Sequence, residues 1–308
     1  MIYPLKLKYY AKTALWGGST LKNEWGKPCD FQKLAETWEL TVRHDAVNII
    51  ENGEYAGKTL EHYLKEETNT SSEKFPLLIK FIDAEDKLSV QVHPDDKFAA
   101  EVENDVGKTE MWYIADAKEG AEIIYGIKDD VTELRCDRYI EKQVNSIKVK
   151  KGDSFFIPSG MLHAIGKGCL IAEIQQNSDL TYRVYDYERR DAQGNLRELH
   201  TEKALKVVRH FDDAEIDAIR YSESDKIGVG ECLASCKYFN VNRVTLNGNK
   251  EELNTNGTFH SLLCVEGEGE IICDGKSYSF KKGDSYYIPA ELGKYELKGT
   301  ATVLISRI

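Results

Sequence analysis

A seventeen-residue phrase occurs twice in this chain, 131 residues apart, and only one copy keeps its histidine. Residues 150–166 read KKGDSFFIPSGMLHAIG and residues 281–297 read KKGDSYYIPAELGKYEL. Lys150, Lys151, Gly152, Asp153, Ser154, Ile157 and Pro158 recur as Lys281, Lys282, Gly283, Asp284, Ser285, Ile288 and Pro289. In each copy a Gly-Asp turn leads into a short aromatic and β-branched run that a proline closes, the grammar of a turn entering a strand. A repeat of this kind constrains the fold strongly: whatever unit holds the first copy must also hold the second. His163, however, is matched by Lys294. A metal-ligand residue type is therefore kept in one unit only, and the chemistry is expected there.

The rest of the chain reads mainly as short strands. LSVQVH (88–93), EMWYIAD (110–116), EIIYGI (122–127), NSIKVKK (145–151), DSFFIP (153–158), CLIAEIQQ (169–176) and TYRVYDY (181–187) are rich in β-branched and aromatic residues and bounded by turn formers. Strands this short and this closely spaced predict a sandwich or barrel. Helical spacing is confined to residues 59–67, 95–104, 131–143 and 201–211. The acidic stretch 211–235 reads as a linker or crossover, after which strand signals resume and run to the end. The expected organisation is thus a larger lobe at 1–210, a linker at 211–235 and a smaller β-rich lobe at 236–308.

Composition excludes several function classes. The net charge is −11 with no basic stripe, which argues against a nucleic-acid partner. No apolar run approaches the roughly 18–20 residues that span a bilayer, and the opening MIYPLKLKYY has no charged-then-apolar targeting pattern. The seven cysteines are odd in number and scattered with no CxxC pair, so free thiols in a reducing cytoplasm are expected.

Gly152, Pro158, Gly160 and His163 fill the spacing G-x5-P-x-G-x2-H. That spacing resembles the second signature motif of the cupins, small double-stranded β-helix or jelly-roll barrels, and the resemblance implies two cupin lobes. A single histidine on a strand is more often structural than a ligand, so partners are needed. LSVQVHPDD supplies Gln91 and His93, which share one face of a strand at i and i+2. KTEMWYI supplies Glu110 at the head of the next strand. Taken alone, Glu110 reads as a surface carboxylate and Gln91 as a cross-strand hydrogen bonder. Taken together, Gln91, His93, Glu110 and His163 form a mixed nitrogen and oxygen donor set suited to Zn²⁺, with room for water or substrate.

Beyond the cupin motif, WGG (16–18), AETWEL (35–40), LLIKFIDAEDKLSVQVHPDD (77–96), GKTEMWYI (107–114), IPSGMLHAIG (157–166) and EIQQNSDLTYRVYDYERRD (173–191) resemble the short bacterial form of class I mannose-6-phosphate isomerases. The resemblance covers most of the chain. It implies a zinc enzyme, one ion per chain, that interconverts mannose 6-phosphate and fructose 6-phosphate through a cis-enediol without a redox cofactor. The family's ligands match the four residues above. It further implies a catalytic arginine at Arg183, an acid/base at Glu173, and roles in substrate or phosphate binding for Lys80, Ser89 and Lys108. Each has a plainer reading: Arg183 and Glu173 as paired structural charges, Lys80 as a snorkelling edge lysine. The residues leave the proton-transfer base open among Glu173, a histidine, a lysine and zinc-bound water. Trp16, Trp38 and Trp112 are expected to pack the lobe. The expected partner is a small sugar phosphate, with no nucleic acid and no membrane, acting on a monomer or homodimer. The rival readings are another cupin enzyme, such as an iron dioxygenase, and a sugar-binding cupin without turnover. QxH in place of HxH weighs against the former. An arginine turned away from the metal residues would favour the latter.

Overall fold

A computed structural model describes residues 2–67, 75–129, 131, 133–191 and 193–308. The two copies of the repeated phrase adopt one geometry. Gly152 and Gly283 sit at φ +93° and +90°, a conformation that only glycine reaches without strain. The Asp153 carboxylate accepts from Lys150 N at 2.9 Å, and Asp284 accepts from Lys281 N at 3.0 Å. Each turn then closes onto a neighbouring strand, through Gly152 N to Ile114 O and Gly283 N to Cys264 O, both at 2.8 Å. The strands that follow, Ser154–Ile157 and Ser285–Ile288, pair antiparallel with strands beginning at Glu110 and His260.

Around the first copy, two antiparallel sheets face each other. One has six strands in the order Ser154–Ile157, Glu110–Ala117, Cys169–Gln176, Leu77–Ala84, Glu36–Leu40 and Tyr10–Lys12. Its two central strands, Leu77–Ala84 and Cys169–Gln176, are buried at every position, which explains why they read as near-continuous apolar runs. The other has five strands in the order Val144–Lys148, Glu122–Ile127, His163–Ile165, Val90–Val92 and Tyr182–Tyr185. Around the second copy a single bent sheet does the same work with longer strands. Asn240–Asn254, His260–Cys273 and Lys294–Arg307 each run 14–15 residues, with register shifts between Asn247 and Lys250 and between Cys264 and Glu266. Bulges of this kind let a strand turn a barrel corner without breaking.

Both barrels are stitched together by the N-terminal segment. Leu5–Lys8 pairs with Ser285–Ile288 in the second sheet, whereas Tyr10–Lys12 pairs with Glu36–Leu40 in the first. The largest apolar cluster accordingly holds Phe156 and Ile171 from one side and Phe239, Leu263 and Leu304 from the other.

The helical readings fare unevenly. Residues 60–67 and 96–103 are α-helical, the second with Asp95 accepting from Phe98 N at 2.8 Å. The helix expected at 131–143 does not form; there is only a 3₁₀ turn at Arg138–Lys142, and Thr132 lies outside the described residues. The reason is local competition. The Gln143 amide takes Arg135 N at 2.9 Å and donates to Glu133 O at 2.6 Å, satisfying backbone groups that a helix would have paired. The helix expected at 201–211 stops at Val207. The stretch 211–235 is more ordered than a linker. Asp212 and Glu215 form a reciprocal capping box that starts helix Asp213–Arg220, and Glu231–Ser235 pairs with the long strand Asn240–Asn254. Among the described residues no helix is long and apolar enough to cross a membrane.

Candidate active site

His93, Glu110 and His163 meet between the two sheets of the first barrel, all three buried, with their ligand atoms within 4.8 Å of one another. Each histidine is oriented by a backbone carbonyl. His93 Nδ1 donates to Leu180 O at 2.7 Å and His163 Nδ1 donates to Met161 O at 2.8 Å. Those bonds fix the proton on Nδ1 and leave the Nε2 lone pairs aimed inward, 3.1 Å apart. Burial, with the Lys108 charge added, holds the His93 imidazole well below its ordinary value, and burial pushes His163 down to about 4. Both rings are neutral at pH 7, the state a metal requires. Glu110 Oε1 lies 3.4 Å from His163 Nε2 and is buried without a hydrogen-bond partner. Its other oxygen receives Lys108 Nζ at 2.5 Å, and the same ammonium is 3.0 Å from His93 Nε2. Two convergent imidazole nitrogens and a buried carboxylate oxygen without a hydrogen-bond partner fit a divalent cation, which would satisfy that oxygen. Gln91 lies beside them, its Nε2 3.4 Å from His163 Nε2 and its Oε1 accepting from Ser89 Oγ at 3.4 Å. A half-turn of the amide exchanges its oxygen and nitrogen.

Strand register explains why these residues meet. In the five-stranded sheet Gln91 pairs with His163 on one side and Arg183 on the other, making one row across three strands. In the facing sheet Trp112, Glu173, Lys80 and Trp38 form a row across four. Gln91 and Arg183 of the first row and Glu173 and Lys80 of the second line a cleft of about 300 Å³. Lys80 is not an edge lysine. It is 5% exposed and lies 3.5–3.8 Å from Glu173, Asp179 and Glu36. Burial works against its charge, but Glu36, Glu173 and Asp179 outweigh that and raise it above the ordinary lysine value. Glu173 Oε2 accepts from Trp112 Nε1 at 3.0 Å, while Oε1 faces Lys80 at 3.5 Å and Lys108 at 3.9 Å with no hydrogen bond. Trp16, Trp38 and Trp112 are all buried, as a packing role requires.

Arg183 lines the same cleft as Gln91. Its Nη1 donates to Glu198 O at 2.7 Å, its Nε is buried and unpaired, and among the described residues no carboxylate lies within ion-pair distance of it. Burial, then the neighbouring Arg197, makes its charge harder to hold. Glu36, Asp179, Lys12 and Arg197 also line the cleft and were not singled out from sequence. Glu36 could have been found by alternation with Trp38 on the same strand. Arg197 could not, since it comes from an irregular segment with no period.

Among the described residues the second barrel has no equivalent set. The register that pairs Gln91 with His163 pairs Asn254 with Lys294, and the one that pairs Ile157 with Glu110 pairs Ile288 with His260. His260 bonds Tyr295 Oη at 2.8 Å.

Residues 4–134 match the family described as phosphomannose isomerase type I, catalytic domain, and residues 231–308 match that described as mannose-6-phosphate isomerase, cupin domain. The chain is 38% identical to mannose-6-phosphate isomerase ManA of Bacillus subtilis, covering 99% of both sequences. It is 35% identical to a mannose-6-phosphate isomerase of Streptococcus mutans, covering 99% of this chain and 98% of that one. A crystal structure of the mannose 6-phosphate isomerase from Bacillus subtilis superposes with a TM-score of 0.87 at 35% identity, covering 99% of each chain.

Proposed function

Since this chain belongs to the type I phosphomannose isomerase family, we propose that it interconverts mannose 6-phosphate and fructose 6-phosphate, with zinc held by Gln91, His93, Glu110 and His163. The observation that carries the reading is the pair of unsatisfied groups beside the metal residues: the free Oε1 of Glu173 and the carboxylate-free guanidinium of Arg183. An aldose–ketose isomerase needs a base that can take and return a proton, and fixed positive charge where oxygen charge develops. When bound, zinc supplies Lewis acidity toward the sugar's carbonyl and hydroxyl oxygens.

In the open-chain aldose a base removes the C2 proton, and the electron pair moves into a C1–C2 double bond as the carbonyl oxygen gains a proton. The resulting cis-enediol takes a proton at C1 and loses one from the C2 oxygen, so no atom or electron is exchanged with a cofactor. Glu173 is our candidate for the base. Trp112 Nε1 holds one of its oxygens, which leaves the other to receive the proton. Lys108, reaching both Glu110 and Glu173, is suited to balance charge as the proton moves. Lys80 fixes Glu173 from the opposite side. Ser89 and Arg183 face the substrate end of the cleft, where a hydroxyl and a guanidinium suit hydroxyl and phosphoryl groups.

The test is a coupled assay with mannose 6-phosphate, with and without chelator, on the wild type and His163→Ala. Turnover that disappears on chelation, returns with zinc and is lost in the variant supports the reading. Turnover that survives both treatments sinks it, and metal binding with no turnover turns the assignment toward a sugar-binding cupin.

A further inference from the structure

We propose that Arg197 completes a two-guanidinium phosphoryl clamp with Arg183, and that the buried Asp186 is the positioning residue that keeps it there. The proposal rests on the sugar-phosphate reading above and adds to its Arg183 two residues that reading does not use, Arg197 and Asp186.

Charge distribution across the cleft points to this end. Lys12, Lys80 and Lys108 are each already engaged by carboxylates: Lys12 with Asp179 at 3.4 Å, Lys80 with Glu36, Glu173 and Asp179, and Lys108 with Glu110. Those four carboxylates outnumber the three lysines, so that side repels a phosphate dianion. Arg183 and Arg197 line the other side. Arg183 has no carboxylate partner among the described residues, and Arg197 has only Asp186, at 3.6 Å. Asp186 is itself held in close contact by Arg189, so its one carboxylate is shared between two guanidiniums and does not neutralise Arg197 alone. Two guanidiniums set side by side repel each other in the free protein, and a dianion with several acceptor oxygens removes that repulsion.

The backbone is built to hold this arrangement. Tyr187 and Glu188 both sit at φ 55°, two consecutive non-glycine residues in the left-handed region. Such a turn persists only when its surroundings over-determine it. Here Arg189 does so, bonding Asp186 and the Lys87 carbonyl in the turn that precedes Ser89 and Gln91. The chain then folds back through an Arg190–Leu196 bridge and returns to the strand it left. There Arg183 N donates to His200 Nδ1 at 3.1 Å, and His200 N donates to Arg183 O at 2.7 Å. Both ends of the segment are thereby fastened to strand Tyr182–Tyr185, and Arg197 is brought back beside the arginine of that strand.

The experiment compares the wild type, Arg197→Ala, Arg197→Lys and Asp186→Asn in steady-state kinetics with mannose 6-phosphate, in inhibition by inorganic phosphate, and in direct calorimetric titration with inorganic phosphate. Arg197→Ala is expected to raise KM and the phosphate inhibition constant together by about 10- to 100-fold, the range of one lost charge-assisted hydrogen-bonding group, with kcat nearly unchanged. Arg197→Lys recovers part of the loss, as a point charge without the planar fork. Asp186→Asn moves the same two constants in the same direction by a smaller factor. A fall in kcat with phosphate binding unmoved, or no change in either constant for Arg197→Ala, overturns the proposal. If the wild type does not turn over mannose 6-phosphate, the function assigned above fails, and the phosphate titrations still decide the clamp. If Asp186→Asn does not fold, the substitutions at the half-buried Arg197 carry the test.

Discussion

Lys27 and Glu39 form an ion pair at 2.6 Å with side-chain exposures of 3% and 1%, at the junction between the barrels. The same ammonium donates to Gly283 O at 2.7 Å, in the second copy of the repeated turn, and Ser285 Oγ donates to Glu39 O at 3.0 Å. Lys27→Met leaves the Glu39 carboxylate buried with no cation. Breaking a buried pair from one side costs about 3–5 kcal/mol at neutral pH, because the remaining charge keeps its desolvation penalty and loses its compensation. The sign with pH follows. Burial already raises the Glu39 carboxyl above its ordinary 4.5 while Lys27 opposes the shift, so removing Lys27 raises it further. A carboxyl raised in the folded state stabilises fully below its unfolded value and loses that contribution as pH rises. The deficit of Lys27→Met against wild type is therefore smallest below about pH 4.5 and grows as pH rises. Urea unfolding followed by tryptophan fluorescence at several pH values measures it. Lys27→Met/Glu39→Leu, which removes both charges, should recover most of the loss. Neither residue lines the cleft, so activity per folded molecule stays constant. A single-variant cost below about 1 kcal/mol, a pH-independent deficit, or a double variant as unstable as the single would refute the reasoning.

Three further outcomes are expected. Metal analysis should find one zinc per chain, with His163→Ala losing it during dialysis against a mild chelator that leaves the wild type loaded. Lys294→His should add no second metal, since Asn256 stands where the first barrel has His93, two residues beyond the strand partner of the 163/294 position, so the stoichiometry stays at one. Burial and then Arg307 push His260 down to about 3 from an ordinary 6.5. The unfolded chain thus takes up that proton first, and stability should decline as pH falls from about 6.5 toward 3. His260→Gln should flatten that part of the stability profile in thermal unfolding.

What the sequence determined was whatever chemistry is local to a few residues. The Gly-Asp turns were legible because a positive φ demands glycine and an aspartate caps the turn within three residues, so both copies of the phrase carry their geometry wherever they sit. Gln91 and His93 were legible as a pair because strand periodicity alone puts i and i+2 on one face. The donor types in turn implied a metal.

Tertiary structure decided which residues are opposite one another. Register across three strands puts Arg183 beside Gln91 and His163, and register across four puts Lys80 beside Glu173. No periodicity within a strand contains that information. The same holds for the Glu36 and Asp179 partners of Lys80, for Arg197 brought back by an irregular segment, and for Leu5–Lys8 crossing to the second sheet. The misread helix at 131–143 has a different, local cause: the side-chain amide of Gln143, at the end of the same segment, pairs with backbone groups that a helix would have used. Local spacing sets which side chains share a face, and hydrogen-bond pairing between remote segments sets what that face meets.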